Sequence, residues 1–203
     1  MGELCRIYWG PLHSYVRRHG YDAAAAEDLT QSFIARLIEK DALRQFRKDR
    51  GRFRSFLLAS LKNFLANERD AAHAQKRGGG VSPLPLENAG DARDNTTPDK
   101  LFERQWALET LNRAIERVRN ESVRDGKETQ FERLKPFLTG NDELTRYRDV
   151  GVELRMNEGT VKVAVHRLRQ RFHEALREEV SMTVTDDSSI GDEIRHLLAA
   201  LSS

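Results

Sequence analysis

Residues 78–100, GGGVSPLPLENAGDARDNTTPDK, hold three of the chain's five prolines and four of its thirteen glycines, and no apolar periodicity survives there. Proline lacks the backbone donor and fixes φ, while glycine carries the largest ordering entropy, so a regular element running through this stretch is excluded. It reads as a flexible linker. The 203-residue chain is thereby cut into 1–77 and 101–180 with a tail beyond, and each part must bury its own core from a sequence only 38% apolar. Domains this small bury a modest share of their surface and are modestly stable.

Both parts carry helical periodicity. Asp22 stands where it can cap a helix whose apolar residues Ala26, Leu29, Phe33 and Leu37 recur at helical spacing. After Gly51, residues Leu57, Leu61, Phe64 and Leu65 share one face. Beyond the linker, Leu101, Leu108, Leu111, Ile115 and Val118 mark another helix, and Phe131, Leu134, Phe137 and Leu138 a short one ending at Gly140. Two more are expected over about 143–154 and 158–180. No stretch alternates apolar and polar residues long enough for a strand, and no repeat is visible. The expected fold class is all-α: two small helical domains, 1–77 and 101–180, joined by the linker 78–100. In the tail, 181–203, an acidic start leads to Ile194, Leu197, Leu198 and Leu201, which mark a short amphipathic helix. Such a helix is marginal alone in water, so it is expected to pack back on the C-terminal domain.

Several function classes drop out. Nowhere do 18 apolar residues run together, so no membrane span is expected. Met1 to Gly10 lacks a signal-peptide layout, and the lone Cys5 excludes a disulfide framework and fits a reducing, cytoplasmic setting. His13, His19, His73, His166, His173 and His196 make no ligand spacing with Cys5, so no metal is expected. There is no phosphate-binding Gly-rich loop, and the adjacent Glu27 and Asp28 point apart on a helix and make no acid–base pair. The chain is expected to be neither an enzyme nor a cofactor carrier.

The formal net charge of +2 conceals strong segregation. Leu43 to Arg77 has ten Lys/Arg against three acids, a local +7; Arg155 to Arg177 has six against two, a local +4. Glu178 to Ile194 has six acids and no base, a local −6. Two basic blocks on helices point to a polyanion partner. The tail's acids are then placed to compete with DNA for the basic C-terminal helix.

The segment LTRYRDVGVELRMNEGTVKVAVHRLRQRF reads as a helix-turn-helix. A first helix with Tyr147, Val150 and Leu154 inside meets a turn at Arg155–Met156, and Asn157 then caps the next helix. Val161, Val165, Leu168, Phe172 and Leu176 form its inward stripe, leaving Glu158, Gly159, Lys162, His166, Arg167, Arg169 and Gln170 mainly outward. A helix fits the major groove, with its N-terminal residues at base edges and later cations at phosphates.

The run Asn157-Glu158-Gly159-Thr160-Val161-Lys162, followed by Val165-His166-Arg167-Leu168-Arg169, resembles region 4 of bacterial RNA polymerase sigma factors of the extracytoplasmic-function group. The resemblance implies binding to the minus-thirty-five promoter element through Asn157, Glu158, Thr160, Lys162, Val163, His166, Arg167 and Arg169. Arg155 stands where that family usually has Gly, and Gly151 where Ala is common. Ala26-Glu27-Asp28-Leu29-Thr30-Gln31-Ser32-Phe33 is similar to the family's region 2.2. That similarity makes Asp28, Gln31, Ser32, Ile34 and Arg36 the contacts to core RNA polymerase. Phe46 to Leu58 resembles region 2.3 entering 2.4, which engages the minus-ten element. Its chemistry has an independent rationale: opened DNA needs aromatic faces for unstacked bases and cations for phosphates. Lys48, Arg50, Arg52, Phe53, Arg54 and Phe56 supply both, and Lys62, Asn63 and Asn67 continue on the next polar face. Phe53 and Phe56 are equally well suited to a core.

The implied protein is a transcription initiation factor that recognises and melts promoters, a monomer when free, with core RNA polymerase and promoter DNA as partners and an anti-sigma factor or other regulator as a further one. Two other readings fit the residues: a helix-turn-helix regulator that binds duplex DNA without polymerase, and a helical adaptor for an acidic protein.

Overall fold

The computed structural model describes residues 2–39, 46, 52–77, 97–138 and 146–202. Among the described residues the chain is helical without a strand, as the periodicities predict, and carries a single antiparallel bridge between Arg52 and Val184. The helices are α1 (Gly2–Arg18), α2 (Ala23–Glu39), α3 (Phe53–Arg77), α4 (Pro98–Arg124), α5 (Glu128–Leu134), α6 (Tyr147–Leu154), α7 (Glu158–Ser181) and α8 (Ile190–Ser202). Short 3₁₀ turns lie at Lys135–Leu138 and Asp187–Ser189.

The chain forms two compact units, Met1–Glu109 with Ser181–Ser203, and Thr110–Val180. The tail expected to pack on the C-terminal domain therefore belongs with the N-terminal helices instead. Residues 78–96 of the expected linker lie outside the described residues. Its last three residues are the first turn of α4: the Lys100 amide donates to the Thr97 hydroxyl at 3.3 Å, and Pro98 occupies a position where no N–H is needed.

In the first unit Asp22 caps α2 as expected, its carboxylate accepting from the Ala25 amide at 2.8 Å. Helix α2 packs on α1. Ile7, Tyr8, Leu12, Tyr15 and Val16 of α1, Ala26, Thr30 and Phe33 of α2, and Leu57, Leu61, Phe64 and Leu65 of α3 make the core. Each large apolar side chain so buried contributes roughly 1.5–3 kcal/mol. The α4 face differs from expectation. Leu108 is 46% exposed, and the buried stripe is Phe102, Trp106, Thr110, Ala114, Val118 and Ser122. Large aromatic rings bury more area than leucine, so Phe102 and Trp106 set the rotation of the helix. Helix α8 is also rotated: Ile190, Glu193 and Leu197 are buried, whereas Leu198 is exposed.

In the second unit Phe131, Leu134 and Phe137 are buried as expected; Gly140 lies outside the described residues. Phe137 stacks on Tyr147 with ring centroids 4.7 Å apart, tying the 3₁₀ turn to α6. Helix α6 ends at Arg155, which adopts a left-handed φ of 56°, and the Met156 amide closes the turn on the Gly151 carbonyl at 2.8 Å. A Cβ on Gly151 would lie 2.7 Å from the Met156 carbonyl oxygen, so the turn folds over a position where only glycine fits.

Candidate nucleic-acid interface

Helix α7 begins as its sequence predicts. The Asn157 side-chain oxygen accepts from the Thr160 amide at 2.8 Å and from the Thr160 hydroxyl at 2.9 Å. Val161, Val165, Leu168 and Leu176 are buried and Phe172 is half-buried, so the stripe packs inward. Asn157, Glu158, Thr160, Lys162, Val163, His166, Arg167 and Arg169 are all exposed, on one helix start. Besides Asn157 and Thr160, three of them have internal commitments, Glu158, Lys162 and Arg169. Lys162 donates to Glu158 at 2.7 Å and lies 5.7 Å from the Tyr147 ring centroid. That hydrogen bond, then the lysine charge, holds the Glu158 carboxyl below its ordinary range, and Glu158 raises Lys162 in return. Arg169 donates from Nε and Nη2 to the Phe137 carbonyl at 3.2 and 2.9 Å, so its fork braces the 3₁₀ turn. Arg155, the first cation of the basic block, is exposed beside this helix start, and Arg148 adds an exposed cation there that lies outside the block; its place on the helix before the capped turn is the signal for it.

On α2, Asp28, Gln31, Ser32 and Arg36 are exposed along one polar face, and Ile34 is half-buried. Arg36 lies 5.9 Å from the Phe64 ring centroid. The side chains form a surface suited to another protein rather than a pocket.

The head of α3 departs most from expectation. Phe53 is buried in an aromatic cluster with Tyr8 (5.4 Å), Phe46 (5.1 Å) and Phe56 (6.2 Å), and Phe56 is half-buried. Arg54 is 2% exposed. A buried guanidinium is tolerated only when its charge is paired and its donors are used, and both conditions hold. Its Nε donates to Glu193 at 2.6 Å, Nη1 pairs with Glu103, and the guanidinium lies 5.0 Å from the Trp106 ring centroid. Arg52 pairs with the same Glu193 at 2.9 Å. The Phe53 amide donates to the Thr183 carbonyl at 3.1 Å. Lys62 pairs with Asp99 at 2.6 Å, and Asp99 also bonds Tyr15, whose hydroxyl is pushed up to about 12 mainly by burial and then by that carboxylate. Asn63 and Asn67 are exposed. Lys48 and Arg50 lie outside the described residues. In this arrangement Phe53 and Arg54 present neither a ring face nor a cation to a ligand, because the ring packs on Tyr8, Phe46 and Phe56 and the guanidinium is paired with Glu193 of the tail and Glu103 of α4.

Residues 4–73 match the family model of sigma-70 region 2. The match spans α1, α2 and most of α3, and so contains both the polar face of α2 and the covered head of α3. It supports a sigma-70 family factor and, with it, an RNA polymerase sigma factor role for the segment that carries region 2. No curated protein and no solved structure matches the chain. Among the described residues no helix is long and apolar enough to cross a membrane.

The partners that cover region 2 were not expected from sequence: Glu193, Glu103, Asp99 and Thr183. For Glu193 the signal was present, since it falls between Ile190 and Leu197 on one helical face.

Proposed function

We propose that the protein is a transcription initiation factor of the extracytoplasmic-function group, which binds core RNA polymerase and directs it to promoters. The observation that carries this reading is the sigma-70 region 2 match over residues 4–73. The exposed face of Asp28, Gln31, Ser32 and Arg36 supports docking on polymerase, because it offers charge and hydrogen-bonding groups on a rigid helix. The capped, exposed start of α7 supports major-groove entry at the minus-thirty-five element, with Thr160, Lys162 and Val163 toward bases and His166 and Arg167 toward the backbone. The segment Lys48 to Asn67, with Arg50, Arg52, Phe53, Arg54, Phe56, Lys62 and Asn63, serves the minus-ten element, where cations hold phosphates and rings take unstacked bases once the contacts that cover Phe53 and Arg54 are released. The factor works in the cytoplasm as a monomer when free, and an anti-sigma factor is a further partner that the two exposed surfaces suit. It supplies binding and strand separation; the polymerase performs the reaction.

Reconstituted transcription with core polymerase and a promoter library tests the reading. Promoter-dependent transcripts are expected with the wild type. Asp28→Ala with Gln31→Ala is expected to weaken core association while α7 still binds duplex DNA. Duplex binding with no core association would instead favour a plain helix-turn-helix regulator.

A further inference from the structure

Glu193 is fully buried, and both guanidinium groups that pair with it belong to the head of α3. The tail also takes backbone positions there: the Thr183 carbonyl accepts from Phe53, and Val184 bridges to Arg52. A carboxylate and a phosphate are both acceptors for guanidinium N–H groups, and the N–H groups of Arg52 and Arg54 that Glu193 holds are not offered to a phosphate. Helix α8 has a weak hold for such a position. Of its apolar residues only Ile190 and Leu197 are buried, Leu198 is exposed, and the helix is entered through an exposed turn in which Asp186 accepts from Ser188. Short elements with few buried apolar contacts open at the low end of a protein's stability scale. His196 lies 3.1 Å from Glu103, the second acid on Arg54, so α8 and α4 together close around one arginine.

We propose that the tail, Ser181–Ser203, is an autoinhibitory latch, with Glu193 occupying on Arg52 and Arg54 the places that the phosphates of separated promoter DNA take when the latch opens. The inference rests on the region 2 reading above. With the latch closed, only the open fraction binds single strands, and the apparent affinity falls by that fraction. Release of the tail also frees the Phe53 amide from the Thr183 carbonyl. The acid that inhibits thus acts on the melting segment, and the expected competition of the tail's acids for the C-terminal helix gives way to it.

The test uses the full chain and a fluorescein-labelled single-stranded oligonucleotide of random sequence. Glu193→Gln is expected to tighten binding by about tenfold or more, as a mostly closed latch requires, and Glu193→Asp to restore most of the wild-type weakness. Circular dichroism and duplex binding check that each variant is folded. Because a buried substitution can disturb folding, the wild type supplies a second measurement: saturating oligonucleotide is expected to deprotect the α8 amides in hydrogen exchange. Unchanged affinity in folded Glu193→Gln, or α8 amides that stay protected with oligonucleotide bound, would overturn the latch. Absence of single-strand binding by every variant overturns it too. Core polymerase association of the wild type, measured in parallel, separates failure of the latch from failure of the sigma factor reading.

Discussion

The head of α3 and the start of α7 are both rich in Lys and Arg, yet their cations have opposite fates. On α7 the apolar residues Val161, Val165 and Leu168 occupy one side, and Lys162, His166 and Arg167 are left outside. On α3 Arg54 stands three, four and seven residues before Leu57, Leu58 and Leu61, on the apolar side itself, and is buried with two carboxylates. A local charge count is the same kind of number in both places. The helical face decides whether a cation is available to a ligand or serves the interior.

Arg54 gives the largest predicted effect. Arg54→Ala leaves the buried Glu193 without its best partner and opens space beside Trp106, and removing one member of a buried pair costs about 3–5 kcal/mol. Chemical denaturation is expected to show that loss. Arg167→Ala, on the exposed face, is expected to stay within about 0.5 kcal/mol of wild type while weakening duplex binding and lowering its salt slope by about one. A small stability change at Arg54 would erase the distinction between the two regions.

Much of this was readable in the chain, and what was not has definite causes. The Asp22 and Asn157 caps, the α7 stripe and the polar face of α2 follow from local rules, since each depends on residues within a turn or two. The α4 face was misread because leucines were counted without weighing Phe102 and Trp106, whose area dominates packing. The tail's place was misread because its partners lie far away in sequence: Arg54 and Glu193 are 139 residues apart, and periodicity carries no information at that separation. The acidic block likewise dissolves into particular pairs, with Glu179 on Arg113 at 2.8 Å, Glu178 on Arg117, and Glu193 on the head of α3.

The turn before α7 offers the next test, since it presents the cations without being one. Gly151→Ala places a Cβ against a backbone oxygen, which no rotamer change can relieve. Alanine favours a helix by at most about 1 kcal/mol over glycine, and forced overpacking costs about 1–3 kcal/mol, so net destabilisation is expected. Duplex affinity is expected to fall with no charge removed, while single-strand binding at α3 is unchanged. Asn157→Ala is a gentler form of the same test. Loss of the two bonds to Thr160 is expected to cost about 1 kcal/mol and to fray the first turn of α7, read as faster amide exchange there.

The smallest effect belongs to Glu158, the exposed counterpart of Glu193. Its pair with Lys162 is open to solvent and screened by salt, and the carboxylate near a helix start also complements the N-terminal partial charge. Its folded value lies below the ordinary one because Lys162 donates to it and carries the opposite charge. A carboxyl lowered in the folded state adds stability above its unfolded value and loses it as pH falls through the folded value. The pair's contribution is therefore constant through neutral pH and fades only in acid. Glu158→Gln is expected to flatten that acid limb and to lower the neutral unfolding midpoint slightly. On a duplex of random sequence it is expected to tighten binding no more than severalfold, with a salt slope steeper by about one, because Lys162 gains a phosphate partner. The same Glu-to-Gln change at Glu193 acts on a buried acid shared by two arginines, so the ratio of the two responses measures how far burial, rather than charge, separates the two regions.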